Sequence, residues 1–498
     1  MINIAELITF VVYFIALMAV GWYFYKKTVH IEDYLLGGRK MGRWVTALSA
    51  QASDMSGWLL MGLPGAVFLL GVNQSWIAIG LFLGTVANWL LVAPRLRVYT
   101  GKTDSLTISS FFEDRFKDPT GLLRIVSAII ILLFFTIYAS SGLVGAGKLF
   151  ESMFSIDYSL AVILGGIVII LYTFLGGFLA VCWTDLFQGS LMFVAIIIVP
   201  LLAFFTHGGF EGISTAMIDS NISTSIIPSG PMPLFAIISA AAWGLGYFGQ
   251  PHILSRFMSI KSVKEMPKSA TIAIIWVAFS LTFAVFVGLI AIPMFPEVTG
   301  GDSEKVFIYM IRDLFNPWIG GILLAAILSA IMSTIDSQLL VSSSALTEDF
   351  YKKVIKKDAG EKELIIIGRI SVLIISLIAM LLALNPNNSI LGLVSYAWGG
   401  FGAAFGPVIL ASLFSSKTNW KSALSGMITG TLVLIIWERL GYNAYMYEIV
   451  PGFIANALTI WIVNHFTTPD DAEYYGTFVS QYKQDTGSTE EVITADEK

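Results

Sequence analysis

Thirteen runs of about twenty mostly apolar residues dominate this chain, and a run of that length, wound as a helix, spans the hydrocarbon core of a bilayer. They cover about residues 5–25, 43–70, 74–94, 125–147, 159–179, 184–206, 234–256, 271–293, 317–344, 366–384, 390–414, 420–438 and 447–465. Inside hydrocarbon every backbone N–H and C=O needs a protein partner. The expected fold class is therefore an all-α integral membrane protein with about 13 transmembrane helices. Composition leaves no soluble alternative, since 56% of the 498 residues are hydrophobic and 13% are charged. A globular protein carries roughly 25% charged residues. The first run has no basic stretch before it and is followed by Lys26 and Lys27, so it is expected to stay as a membrane helix rather than to be a cleaved leader.

The 29 lysines and arginines test this count. Read with thirteen crossings, all but Lys148, Lys305, Arg312 and Arg439 fall on one side. That skew predicts an outside N-terminus and a cytoplasmic C-terminus in the plasma membrane. With 34 acidic residues against the 29 basic ones, the chain offers no basic face for nucleic acid. Cys182 is the only cysteine, which excludes an internal disulfide and a cysteine-based metal site. No phosphate-binding G-x-x-x-x-G-K-[ST] loop occurs, so no ATP motor is expected. Residues 466–498 hold eight acidic residues and two lysines, the composition of a solvated, poorly ordered tail.

Two runs are interrupted. The second contains Ala52-Ser53-Asp54-Met55-Ser56-Gly57-Trp58 and then Gly62-Leu63-Pro64-Gly65; the seventh contains Trp243-Gly244-Leu245-Gly246-Tyr247-Phe248-Gly249-Gln250-Pro251. Glycine loosens a helix, and proline removes a donor and crowds the preceding turn. Backbone freed this way must line a cavity or lie inside protein. With the first run set aside, runs 2–6 and 7–11 form two sets of five, each opening on an interrupted helix. An odd number of crossings per set inverts one relative to the other, the pattern of a secondary transporter with a midplane site. The expected organisation is residues 1–42 for the first helix and its loop, 43–206 and 207–415 for the two repeats, 416–465 for two further helices and 466–498 for the tail. Gly402 and Gly406, spaced as G-x-x-x-G, read as a close-packing face.

Asp54 stands at the break of the second run, where a carboxylate costs at least about 2.5–3.5 kcal/mol. No lysine or arginine shares its depth in that run. Its partner is a cation that comes and goes, nearby hydroxyls, or a proton. In the ninth run Ser333 and Thr334 offer hydroxyls, and a bend would expose the carbonyl of Ala330. Small hard cations prefer such oxygens, although membrane serines and threonines also bond back to their own helix. Asp336 is a second deep acid; Asp185 lies near a span end and is less informative. Trp243, Tyr247 and Pro251 follow one another at i, i+4 and i+8 along one face. The stripe is either packing or a stacking surface for a small apolar solute, to which Tyr138 adds a ring and a hydroxyl. Free N–H groups and carbonyls at broken helices suit a carboxylate and an ammonium. A zwitterionic amino acid with an apolar body fits.

Three stretches carry a resemblance: Ala47-Leu48-Ser49-Ala50 with Ser53 through Ala66, Trp243 through His252, and Gly392-Leu393-Val394-Ser395-Tyr396-Ala397-Trp398. On these the chain resembles the solute:sodium symporter family, and within it the bacterial sodium/proline symporters, over nearly all of residues 1–465. The resemblance implies a five-plus-five inverted-repeat core and electrogenic uptake of L-proline driven by sodium. By position in the motifs it implies sodium held by the carbonyls of Ala52, Met55 and Ala330 and the hydroxyls of Ser333 and Thr334, with Asp54 in support. It implies proline contacts from Ser56, Gly57, Trp58, Tyr138, Trp243, Tyr247 and Pro251. Asp336 departs from the family pattern, which has a small polar residue there. Proton-coupled uptake through Asp54 or Asp336 and sodium-driven uptake of a sugar, pantothenate or choline are the rivals. An enzyme is not expected, because His30, His207, His252 and His465 lie at or near span ends and form no paired metal or nucleophile motif. No obligatory protein partner is implied.

Overall fold

The computed structural model describes residues 3–25, 31–175, 177–467 and 472–487. The Lys26-Lys27 flank, His30 and the end of the tail lie outside the described residues. Among the described residues, ten helices are long and apolar enough to cross a membrane: α1 (Ile4–Tyr25), α3 (Val72–Thr103), α4 (Leu122–Phe154), α6 (Phe178–Thr206), α8 (Val263–Met294), α9 (Pro317–Ile355), α10 (Glu361–Ala383), α11 (Ile390–Phe414), α12 (Trp420–Arg439) and α13 (Ile449–Phe466). A pair bent by 58°, α2a (Arg43–Asp54) and α2b (Trp58–Leu70), occupies the second expected run. Two shorter apolar helices, α5 (Tyr158–Leu175) and α7a (Pro233–Gly249), occupy the fifth and seventh, and α7b (Pro251–Ser259) follows α7a. The set falls on the thirteen expected runs.

Several helices run beyond the apolar stretches that announced them, because tertiary partners satisfy the polar residues there. α6 begins at Phe178 rather than near 184, and Thr184 inside it bonds to the Tyr172 hydroxyl of α5. α4 carries Lys148, whose ammonium meets Glu304 at 2.5 Å. α9 extends to Ile355 through a widened π-helical end. There Asp349, buried, accepts from Arg124 of α4 at 2.7 Å and from Thr107 at 2.9 Å.

α9 and α11 lie deep in the bundle, while α1, α10 and α13 turn much of their surface outward. Gly402 and Gly406 of α11 do serve packing, since an added Cβ would fall 2.5 Å from side-chain carbons of Ile449 and Phe453 of α13. The breaks lie in the same tightly packed interior. At α3, a Cβ on Gly84 would fall 2.3 Å from the Gly244 carbonyl oxygen. Only glycine lets the backbone of the interrupted seventh span come this close.

The tail needs correction. Residues Ala472–Thr486 form α14, a helix docked on the bundle rather than a disordered segment. Its Tyr475 and Phe478 are buried. Tyr474, Phe478 and Tyr482 recur at i, i+4 and i+8, a spacing that average composition conceals. The Lys117 ammonium sits 3.9 Å from the Tyr474 ring centre, and Arg115 lies 4.8 and 5.7 Å from those of Tyr475 and Phe478. Cation–π contacts of this kind favour the docked state.

Candidate ion and solute site at the broken helices

The chain leaves the helix at Met55, where φ is −85° and ψ is 82°. The Ser56 N–H then turns back to the Asp54 carbonyl at 3.1 Å, and the Leu59 N–H to the Ser56 carbonyl at 3.0 Å. A widened turn over Trp58–Gly62 leads into the rest of the span. In the seventh span, Ala242–Gly249 wind as a tight 3-10 helix and Gln250 is extended. Proline fits the first helical turn because its missing N–H would be unsatisfied there anyway, and Pro251 restarts the helix in that place. The buried Gln250 amide donates to the carbonyls of Gly246 and Trp398, both at 3.2 Å.

The ninth span meets the first break directly. Ser333 Oγ donates to the Ala52 carbonyl at 2.7 Å, and Thr334 Oγ1 lies 3.3 Å from the same oxygen. Both hydroxyls also stand 3.2 Å from the Ala330 carbonyl. The turn-back bonds anticipated from sequence are therefore present, but the same hydroxyls reach across to α2a. Two carbonyls and two hydroxyls face one point, a donor set suited to a small hard cation. Met55 is buried one residue beyond Asp54, where the helix opens.

Asp54 is fully buried. Its Oδ2 accepts from the Tyr247 hydroxyl at 2.5 Å, and its Oδ1 has no hydrogen-bond partner among the described residues. Serine and threonine hydroxyls, the expected alternative, do not hold it; a tyrosine of the other broken span does. The Asp54 carbonyl accepts from Trp58 Nε1 at 2.9 Å and lies 3.5 Å from the Tyr138 hydroxyl. Trp58 and Trp243 approach with ring centres 6.4 Å apart, and Trp243 leans on Tyr447 at 5.5 Å. Trp398 donates from Nε1 to the Trp243 carbonyl at 2.7 Å and stands edge-on to Tyr247. Ser56, Gly57, Trp58, Tyr138, Trp243 and Tyr247 are thus gathered around the two breaks, all buried. Pro251 lines a small cavity elsewhere, with Thr107, Ser255, Ser344 and Asp349.

Sequence reasoning undervalued one cluster. Asp185 is buried, not a cheap boundary residue, and it accepts from Ser49 at 2.6 Å and from Arg256 at 3.3 Å. Arg256, counted among the loop cations, is buried in α7b and also donates to Ser337 at 2.5 Å. Asp336 is held by Thr173. No spacing along the chain links these residues, so no sequence signal joined them. They tie both broken spans to α6 and α9 just beside the hydroxyl pair. Trp398 and Tyr447 were likewise missed as partners of Trp243.

The sodium:solute symporter family matches residues 34–430. The chain is 50% identical over 466 residues to the sodium/proline symporter of Escherichia coli (strain K12), covering 92% of each protein. It is also 50% identical to the high-affinity proline transporter PutP of Bacillus subtilis (strain 168), covering 91% of this chain and 96% of that protein. Among solved structures, a Na+-coupled sialic acid symporter in a substrate-bound outward-open state superposes with a TM-score of 0.79 at 19% identity, covering 94% of this chain and 99% of that one. MhsT in complex with L-phenylalanine gives 0.53 at 15% identity, covering 85% and 98%. These structures share the fold of this chain. The chain is a multi-pass membrane protein, and it belongs to the sodium:solute symporter family.

Proposed function

We propose that this chain imports L-proline together with sodium across the plasma membrane by alternating access, with its N-terminus outside and its C-terminus cytoplasmic. The observation that carries the reading is the convergence of Ser333, Thr334 and the Ala330 carbonyl on the Ala52 carbonyl at the first break. Sodium replaces the hydroxyl-to-carbonyl bonds there, with Met55 as a further carbonyl ligand. It thereby fastens α9 to the unwound stretch of α2. Asp54 supports the ion from behind, through the charge that Tyr247 orients.

Ordering this stretch completes the proline site. Ser56 and Gly57 offer backbone groups, and Trp58, Tyr138, Trp243 and Tyr247 enclose the apolar ring; Pro251 restarts the helix beyond them. The relatives named for proline transport, about half identical over nearly the full length, support this substrate. The loaded core, residues 43–206 against 207–415, then rocks inward around the site.

Coupling is reciprocal: sodium and proline must each raise the other's affinity by the same factor. The test is proline affinity of the purified protein in sodium-free and sodium-rich buffer, with uptake into proteoliposomes driven by a sodium gradient or a pH gradient alone. Equal affinity in both buffers refutes the coupling. Uptake with a pH gradient alone transfers the role to a proton. Displacement of labelled proline by a sugar, pantothenate or choline transfers the site to another solute.

A further inference from the structure

Beyond the transport site, two adjoining cavities lie between the end of α3, the start of α8 and the docked α14. The first, of about 470 Å³, is lined by Arg97, Lys102, Lys261 and Lys264, with Asp485 as the carboxylate on its α14 wall. The second, of about 460 Å³, is mainly apolar and lined by Trp89, Leu90, Pro94, Met266 and Ala270. They share Val263, Lys264 and Asp485, so they are continuous. Leu90 and Leu91 beside them are about half exposed, which places the apolar cleft at the bundle's lipid-facing side.

The cations are held in place. Arg97 donates from Nε to the Ile260 carbonyl at 2.6 Å, which leaves the rest of its guanidinium on the cup wall. Lys102 donates to the Thr477 carbonyl of α14 at 2.9 Å. Lys261 faces Glu265 at 3.6 Å, and Lys264 has no ion pair among the described residues. Four cations therefore face Asp485 on the lining and Glu265 beside Lys261, which still leaves an excess of positive charge at the mouth of an apolar groove. That shape matches an amphiphile with an anionic head. A soluble anion would use the cup and leave the cleft without a role.

We infer that this double cavity binds an anionic phospholipid, its phosphate in the cup of Arg97, Lys102, Lys261 and Lys264 and an acyl chain along Trp89, Leu90 and Ala270. The site sits on the face that carries the basic loops, where the positive-inside rule places the cytoplasmic leaflet. Because Gln481, Tyr482 and Asp485 of α14 complete the walls, the lipid bridges α14 to α3 and α8. Lipid content thereby acts on the docking of the tail helix.

The test is native mass spectrometry of the full chain released from nanodiscs, titrated with phosphatidylglycerol against a phosphatidylcholine background. The variants are Lys261→Gln with Lys264→Gln, Ala270→Trp to fill the cleft, and Lys417→Gln with Lys421→Gln as a control on another loop of the same face. Each lysine near a membrane surface contributes about 1 kcal/mol, or roughly fivefold in affinity. The double cup variant should weaken phosphatidylglycerol retention roughly 25-fold, the cleft variant should weaken it too, and the control should shift it less than twofold. Equal retention by the cup variant and the unaltered chain overturns the proposal. So does inorganic phosphate displacing the lipid from the unaltered chain while the cleft variant binds normally, which would make the cup a site for a soluble anion.

Discussion

Glu304 holds two parts of the bundle together through one carboxylate. It sits in the turn Gly300–Lys305 between α8 and α9. Its carboxylate oxygens Oε1 and Oε2 accept from the backbone N–H groups of Leu391 and Ile390, respectively, at 3.1 Å each, and Oε2 also accepts from the Lys148 ammonium of α4 at 2.5 Å. The carboxylate thus caps the N-terminus of α11, where unpaired N–H groups and the helix dipole favour a negative charge. Both side chains are nearly buried, at 6% and 7% exposure. Glu304→Gln keeps the shape and removes the charge. Leaving a buried lysine unpaired costs about 3–5 kcal/mol, whereas removing both charged partners costs much less. The expected loss is about 3–5 kcal/mol for Glu304→Gln, with the double variant Glu304→Gln, Lys148→Met recovering at least about 2 kcal/mol of it. The assay is reversible unfolding in mixed micelles for both single variants and the double. If the single losses add to within about 0.5 kcal/mol, the two groups are not coupled, and the reasoning from this geometry is refuted.

Three further outcomes are expected. Asp54→Asn keeps a group at hydrogen-bond distance from Tyr247 but removes the buried charge beside the hydroxyl pair. Sodium half-saturation of proline uptake should rise at least tenfold, equivalent to about 1.4 kcal/mol, and unchanged sodium dependence would remove Asp54 from ion binding. Gly246→Ala places a methyl group 1.9 Å from Trp398 Nε1, so the ring must move and give up its bond to the Trp243 carbonyl. A lost buried hydrogen bond costs about 1–3 kcal/mol, and proline half-saturation in proteoliposomes should rise about tenfold or more. Phe478→Ala empties the contact that anchors α14; limited proteolysis in nanodiscs should then release that helix while the melting temperature of the bundle changes little.

The two breaks were legible because glycine, proline and a buried acid interrupt otherwise apolar runs, and such local exceptions are visible in one dimension. Ser333 and Thr334 were legible only as an ambiguous pair. Their bonds back to Ala330 are local, whereas the bond to Ala52 spans 281 residues. The pairing of Asp54 with Tyr247 and the cluster of Asp185, Arg256, Ser49 and Ser337 join side chains from separate helices, so no periodicity reveals them. The tail was misread because its acidic composition was averaged over a segment in which aromatic spacing decides the docked face.

The sequence by itself determined that the chain crosses a membrane many times and where helices must break. Hydrophobic length and backbone satisfaction in lipid are properties of contiguous residues, so they can be read along the chain. Only the tertiary structure decided which buried charge meets which hydroxyl, how Trp398 braces Trp243, and that the last helix returns to the bundle. Those outcomes depend on the packing of distant helices, where a displacement of about 1 Å makes or breaks a hydrogen bond.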